Sequence, residues 1–239
     1  MFKNATDFWQ VVGQENPYWG VATHDKFLGT ELSPNLSCEF FQSGAVEINS
    51  SLNVLHWLCG FKGTPGNAID FGCGVGRLTI HMAKVMGHVY GVDISSGMLD
   101  KARKHIAENG LQNISFSTII PDVETDWINS FIVFQHIPPK EGYRLLAELL
   151  SQLRGGGVFS LHFAIYQTGK VYKELGDCSF DGERIKLYDD FRVSEMPIYS
   201  YDASHVFKII YQNNIGEFMV RHVDHGGLHG MWLFGRKND

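Results

Sequence analysis

The chain has no C-x-x-C pair. Its four cysteines, Cys38, Cys59, Cys73 and Cys178, stand far apart. That argues against a zinc site or a disulfide framework and fits a reducing compartment. No apolar run approaches membrane-spanning length, and the opening MFKNATDFWQ lacks the apolar core of a secretory signal. Basic charge is scarce: 20 Lys and Arg face 26 Asp and Glu, a net charge of −6. Nucleic-acid binders usually present a basic face, so RNA and DNA are disfavoured as partners. Repeats and low-complexity tracts are absent. What remains is a 239-residue chain, 44% hydrophobic, long enough for one large domain or one domain with an appended cap. The expectation is a cytoplasmic protein with no membrane or nucleic-acid partner.

A dinucleotide fingerprint is missing as well. G-x-G-x-x-G needs a glycine at Arg77 if it starts at Gly72, or at Thr79 if it starts at Gly74. What stands there is D-x-G-x-G-x-G, Asp70 to Gly76. It follows a short apolar run, Ala68 to Phe71, and precedes helically spaced Leu78, Met82 and Val85. A second apolar run, Val89 to Val92, closes on Asp93. This is strand, glycine turn, helix, strand, acid: half of a nucleotide-binding α/β unit. Glycines permit a sharp turn and close approach of a ligand. The following helix aims free N–H groups at the turn. An acid ending the second strand can accept hydrogen bonds from both hydroxyls of a ribose. An acid ahead of the glycines would repel a pyrophosphate and attract a cationic ligand such as S-adenosylmethionine.

At these residues the chain resembles the class I S-adenosylmethionine-dependent methyltransferases. Asp70, Gly72, Gly74 and Gly76 match that family's glycine loop, and Asp93 matches its ribose-binding acid. Ile94 to Arg103 resembles the helix after the second strand. The resemblance implies an α/β fold with a doubly wound, mostly parallel seven-stranded sheet and an N-terminal helical extension. It implies S-adenosylmethionine as cofactor, held by Asp70, Gly72, Cys73, Gly74, Gly76, Arg77, Asp93, Ile94, Met98 and Ser130. The matched core covers residues 66 to 165.

Two further absences narrow the branch. Many members carry an acid after the third strand; here Ile119-Ile120-Pro121 stands there, with Asp122 late. Adenine would then rest on backbone groups and apolar faces. The N/D-P-P-Y/F motif of amino-methylating enzymes is also missing: Asn129-Ser130-Phe131-Ile132 has no prolines. Instead Gln135-His136-Ile137-Pro138-Pro139 resembles the V-x-x-H-I/L-P stretch of the small-molecule branch. The function implied is methyl transfer to an oxygen or nitrogen of a small-molecule acceptor. The alternatives are a protein or RNA methyltransferase, or a non-catalytic S-adenosylmethionine-binding protein.

The spacing places an N-terminal extension over 1–66 and the main domain over 67–239. A helix over Glu39 to Cys59 breaks near Gly44. GTPGN at 63–67 is a turn. Strands are expected at Ile114 to Thr118, Asp126 to Phe134 and Val158 to Phe163, with a leucine-striped helix after Pro138-Pro139. Residues 166–200 read as a cap-like insertion. Asp202 caps a helix from Ala203 to Asn213, and two strands joined at Gly226-Gly227 follow. The aromatic extension either forms a lid or packs the first helices onto the sheet; as a lid it offers Tyr18, Trp19 and His24 to the substrate. His136 and His162 are the candidate catalytic bases, with orienting or buried structural roles as the plain alternatives. His222, His225 and His229 cluster without a defined ligand geometry, Asp189-Asp190 reads as a solvated pair, and no metal is expected.

Overall fold

The computed structural model describes residues 5–167, 184–185 and 196–239. Most of the expected cap at 166–200, including Asp189-Asp190, lies outside the described residues. The chain divides into two compact units, 1–129 and 130–239.

The first unit opens with α1 (Ala5–Glu15), α2 (Pro17–Val21), a 3₁₀ turn (Asp25–Phe27) and α3 (Pro34–Cys59). The side chain of Ser33 accepts from the Leu36 N–H, Pro34 takes the first helical position, and Gly60 closes α3 at φ 74°. The expected break at Gly44 does not occur. Gly44 is buried within a continuous helix, where a Cβ would stand 2.1 Å from the carbonyl oxygen of Arg77. This glycine permits a close crossing. It does not end a helix.

Then come β1 (Thr64–Phe71), α4 (Thr79–Met82), β2 (Met86–Val92), α5 (Ser96–Glu108), β3 (Ile114–Ser117) and β4 (Thr125–Ser130). The expected turn at 63–67 is in fact the start of β1. Its Gly66 has no side chain because a Cβ would meet the Asp126 carboxylate at 1.9 Å. Ala68 to Phe71 are all buried, which is why this strand reads as a continuous apolar run: both faces of a parallel strand are covered. β1 pairs in parallel with β2 and β4, setting Asp70 opposite Gly91 and Asn129.

The second unit holds a 3₁₀ turn (Phe134–His136), α6 (Pro139–Gln152), β5 (Leu153–Gln167), β6 (Arg184–Ile185), β7 (Met196–Pro197), α7 (Ala203–Gln212), β8 (Phe218–Asp224) and β9 (Leu228–Arg236). Leu146, Leu149 and Leu150 of α6 are buried, as the stripe predicts. Asp202 caps α7 by accepting from the Ser204 N–H at 2.8 Å. β5 is far longer than the expected six residues and pairs antiparallel with β9, which pairs antiparallel with β8. The fourth strand is shorter than expected: it stops at Ser130, and Ile132 takes φ 58°. A β-branched residue is strained there, so the chain leaves the sheet and turns. The seven strands run in the order β3-β2-β1-β4-β5-β9-β8, while β6 and β7 form a separate two-stranded sheet.

Candidate cofactor and acceptor sites

In the first unit, the turn after β1 uses all three of its glycines in the left-handed region: Gly72 at φ 74°, Gly74 at 54° and Gly76 at 84°. The N–H groups of Gly72 and Cys73 donate to the carbonyl of Val92, at 2.7 and 3.0 Å, tying the turn to the end of β2. Asp93 follows directly. Its Oδ2 accepts from the Gly74 N–H at 2.9 Å and its Oδ1 from the Ser95 N–H at 2.8 Å. Each carboxylate oxygen therefore keeps a lone pair, and Asp93 keeps part of its surface open. Desolvation pushes Asp93 up to about 6, against the Ser95 and Gly74 hydrogen bonds that pull it down; Asp70 adds to the rise. A ligand supplying two hydroxyl donors would fit this acid and relieve it.

Asp70 lies deeper, 1% exposed. Thr79 donates to it at 2.6 Å and Asn129 at 2.9 Å. Burial raises its pKa, while Thr79, Asn129 and the charge of Arg77 lower it. Asp70 thus binds the start of α4 to the neighbouring strand and holds the glycine turn between them. Thr79 and Asn129 were missed by sequence reading; the register between β1 and β4 reveals Asn129.

The other candidate cofactor residues take distinct places. Cys73 is buried, and desolvation drives its thiol well up. Arg77 turns to α3, donating to Ser43 Oγ at 3.1 Å. Ile94 is exposed, and its carbonyl accepts from Gln10 at 2.7 Å. Met98 is buried beside the glycine turn: a Cβ on Gly74 would stand 3.6 Å from its sulfur and 2.4 Å from Val21 Cγ2. Residues of α1 and α2 therefore lie directly on the turn and on the loop after Asp93. Of the candidate lid residues, Trp19 is buried in the core. Tyr18 is half-buried, edge-on to Phe40, and His24 is exposed and caps the 3₁₀ turn.

In the second unit, Ser130 ends β4 fully buried. His136 is buried; its Nδ1 faces the carbonyl of Pro197 at 2.8 Å and its Nε2 faces Gln135 Nε2 at 3.3 Å. A carbonyl only accepts, so Nδ1 carries the proton and Nε2 presents a lone pair. Burial takes His136 down to about 4, against the Pro197 bond, so it is neutral at pH 7. His162 is fully buried and contacts His225, Nε2 to Nε2, at 3.2 Å. Burial, then His225 and His136, pulls it down to about 3. Phe131 packs against both His162 and Trp232, with ring centroids at 5.5 and 4.7 Å. His222 and His229 form a separate exposed pair at 3.3 Å. Among the described residues no group of three His, Cys, Asp or Glu could hold a metal ion. No helix among them is long and apolar enough to cross a membrane.

Residues 68–157 match a family model described as a methyltransferase domain. The 23S rRNA (uracil(1939)-C(5))-methyltransferase of Xanthomonas oryzae pv. oryzae is 30% identical over 118 residues, 45% of this chain and 26% of that protein. Aklanonic acid methyltransferase DauC of Streptomyces sp. is 40% identical over 65 residues, 26% of this chain and 29% of that protein. The chain thus spans less than a third of the length of these curated relatives. Among solved structures, magnesium protoporphyrin IX methyltransferase of Synechocystis PCC 6803, with bound S-adenosylhomocysteine, superposes at a TM-score of 0.65 with 21% identity. That match covers 98% of each chain.

Proposed function

Residues 68–157 form a class I S-adenosylmethionine-dependent methyltransferase domain, and from that premise we propose that the protein transfers a methyl group from S-adenosylmethionine to an oxygen or nitrogen of a small-molecule metabolite in the cytoplasm. The observation that carries this reading is Asp93. Its carboxylate braces the glycine turn through two backbone N–H groups and keeps two lone pairs for a ribose. The left-handed turn from Gly72 to Gly76 would hold the cofactor's amino-acid end, with Ile94 and Met98 beside the adenosine. Asp70 would act by fixing that turn through Thr79 and Asn129. When bound, S-adenosylmethionine supplies a methyl already activated by its sulfonium charge. The protein has to orient the acceptor, exclude water and, for a hydroxyl, take a proton. His136 is the group suited to that last task, because its neutral ring presents Nε2 as a lone pair.

The relative acting on aklanonic acid supports a small-molecule acceptor, as does the acidic balance of the chain. The rRNA methyltransferase match favours RNA as a second reading. The test is incubation with methyl-labelled S-adenosylmethionine and, separately, low-mass extract, total RNA and total protein. Label in the low-mass fraction is the expected result. Label in RNA or protein overturns the acceptor class, and label in none favours a binding protein without transfer.

A further inference from the structure

Five polar atoms in the second unit are buried with no hydrogen-bond partner among the described residues: Ser130 Oγ, Gln135 Oε1, His162 Nδ1, Ser200 Oγ and Trp232 Nε1. Folded proteins rarely leave such atoms unpaired, and here they are linked. Gln135 adjoins His136, whose ring influences His162. The Tyr199 N–H donates to the carbonyl of Gln135 at 2.7 Å and the Tyr201 N–H to that of Ala164 at 2.8 Å, so Ser200 spans from the 3₁₀ turn to β5. His162 pairs with Trp232 across β5 and β9, and Phe131 packs on both.

We infer that Gln135, Ser200 and His162, with the ring of Phe131, form the acceptor pocket, and that the acceptor is a planar molecule presenting a neutral hydroxyl. This deepens the reading above and rests on it. The tautomer argument sets the class. His136 Nε2 is a lone pair, so Gln135 must turn its NH₂ toward it, leaving Oε1 as an acceptor. The hydroxyl of Ser200 can donate or accept. A ligand group that donates to Gln135 and also accepts from Ser200 is a hydroxyl. A carboxylate only accepts; it would face Gln135 Oε1 oxygen to oxygen and would leave water with no counter-charge on these five atoms. Phe131, partly exposed and tilted against Trp232, offers a ring a stacking surface.

The test is calorimetric titration of the full chain with 2-naphthol and with 2-naphthoate, each with and without S-adenosylhomocysteine. The pocket predicts 2-naphthol binding at least about tenfold more tightly than 2-naphthoate, a preference weakened about tenfold by Ser200→Ala. Gln135→Lys, which swaps the acceptor for a cation, should turn the preference toward 2-naphthoate. Thermal unfolding of each variant checks that it is folded. Equal or stronger binding of 2-naphthoate to wild type overturns the assignment, as does binding of neither ring by protein that binds S-adenosylhomocysteine. Selective 2-naphthol binding without any S-adenosylhomocysteine binding would keep the pocket and defeat the cofactor reading instead.

Discussion

Gly44→Ala should destabilise the protein although it improves a helix. Gly44 sits in the interior of α3, where alanine is favoured by about 1 kcal/mol. Against that gain stands a steric conflict. The new Cβ would lie 2.1 Å from the carbonyl oxygen of Arg77, 2.9 Å from its carbonyl carbon and 3.1 Å from its Cγ. Relief needs a shift of about 1 Å, and the obstacle is backbone, which cannot swing aside as a side-chain end can. Overpacking of this kind costs about 1–3 kcal/mol, and a backbone clash belongs at the upper end. The net loss is about 2 kcal/mol, or about 4–8 °C in melting temperature for a chain of this size. The strain falls on Arg77, next to Gly76, so the glycine turn should move with it. S-adenosylhomocysteine affinity should fall about tenfold, a loss of about 1.4 kcal/mol. Thermal unfolding by circular dichroism and calorimetric titration read the two effects. A melting temperature equal to or above that of wild type would show that helix propensity wins and that α3 does not press on Arg77.

Three other outcomes follow from the same geometry. Asp93→Asn leaves one acceptor oxygen where two are needed, so S-adenosylhomocysteine affinity should fall by about 30-fold or more in calorimetry at pH 7.5. In wild type the carboxyl titrates near 6, above its ordinary value, so below pH 6 it is protonated and loses acceptor capacity. Affinity should therefore decline as pH falls through 6, approaching tenfold per unit, and hold steady above 7; the same raised pKa makes folding stability fall as pH rises toward 6 and then level off. Thr79→Val removes a donor from the fully buried Asp70 and should cost about 1–3 kcal/mol in denaturant unfolding, with a further rise in the Asp70 pKa. With a catalytic His136 near 4, kcat at saturating cofactor should stay flat from pH 8 to about 5 and fall only as pH approaches 4; a limb at 6.5 would point to another base.

The stretch from Asp70 to Asp93 was legible because its chemistry is local. Glycine spacing, a closing acid and a capping Ser95 all act within a few residues of one another. Asp93 meeting the Gly74 N–H is a 19-residue contact that a single strand–turn–helix–strand unit brings about. The partners of Asp70 were half legible: Thr79 is near in sequence, whereas Asn129 arrives only through strand register. Gly44 misled because a missing side chain announces freedom of the backbone but not what presses against it. β5 outran its apolar core because antiparallel pairing with β9 carries the polar and aromatic residues beyond Phe163. The link from His162 to His225 spans 63 residues and leaves no trace in spacing. The strain at Ile132 is equally silent, since nothing in the residue type hints at a positive φ.

The central claim is that the glycine turn and Asp93 hold S-adenosylmethionine and not a dinucleotide. Calorimetric titration of the wild-type chain with S-adenosylhomocysteine and with NAD tests it most directly. Micromolar or tighter binding of S-adenosylhomocysteine, with none of NAD, is the predicted result. Binding of NAD in its place, or of neither, would contradict the cofactor assignment and the methyl-transfer reading built on it.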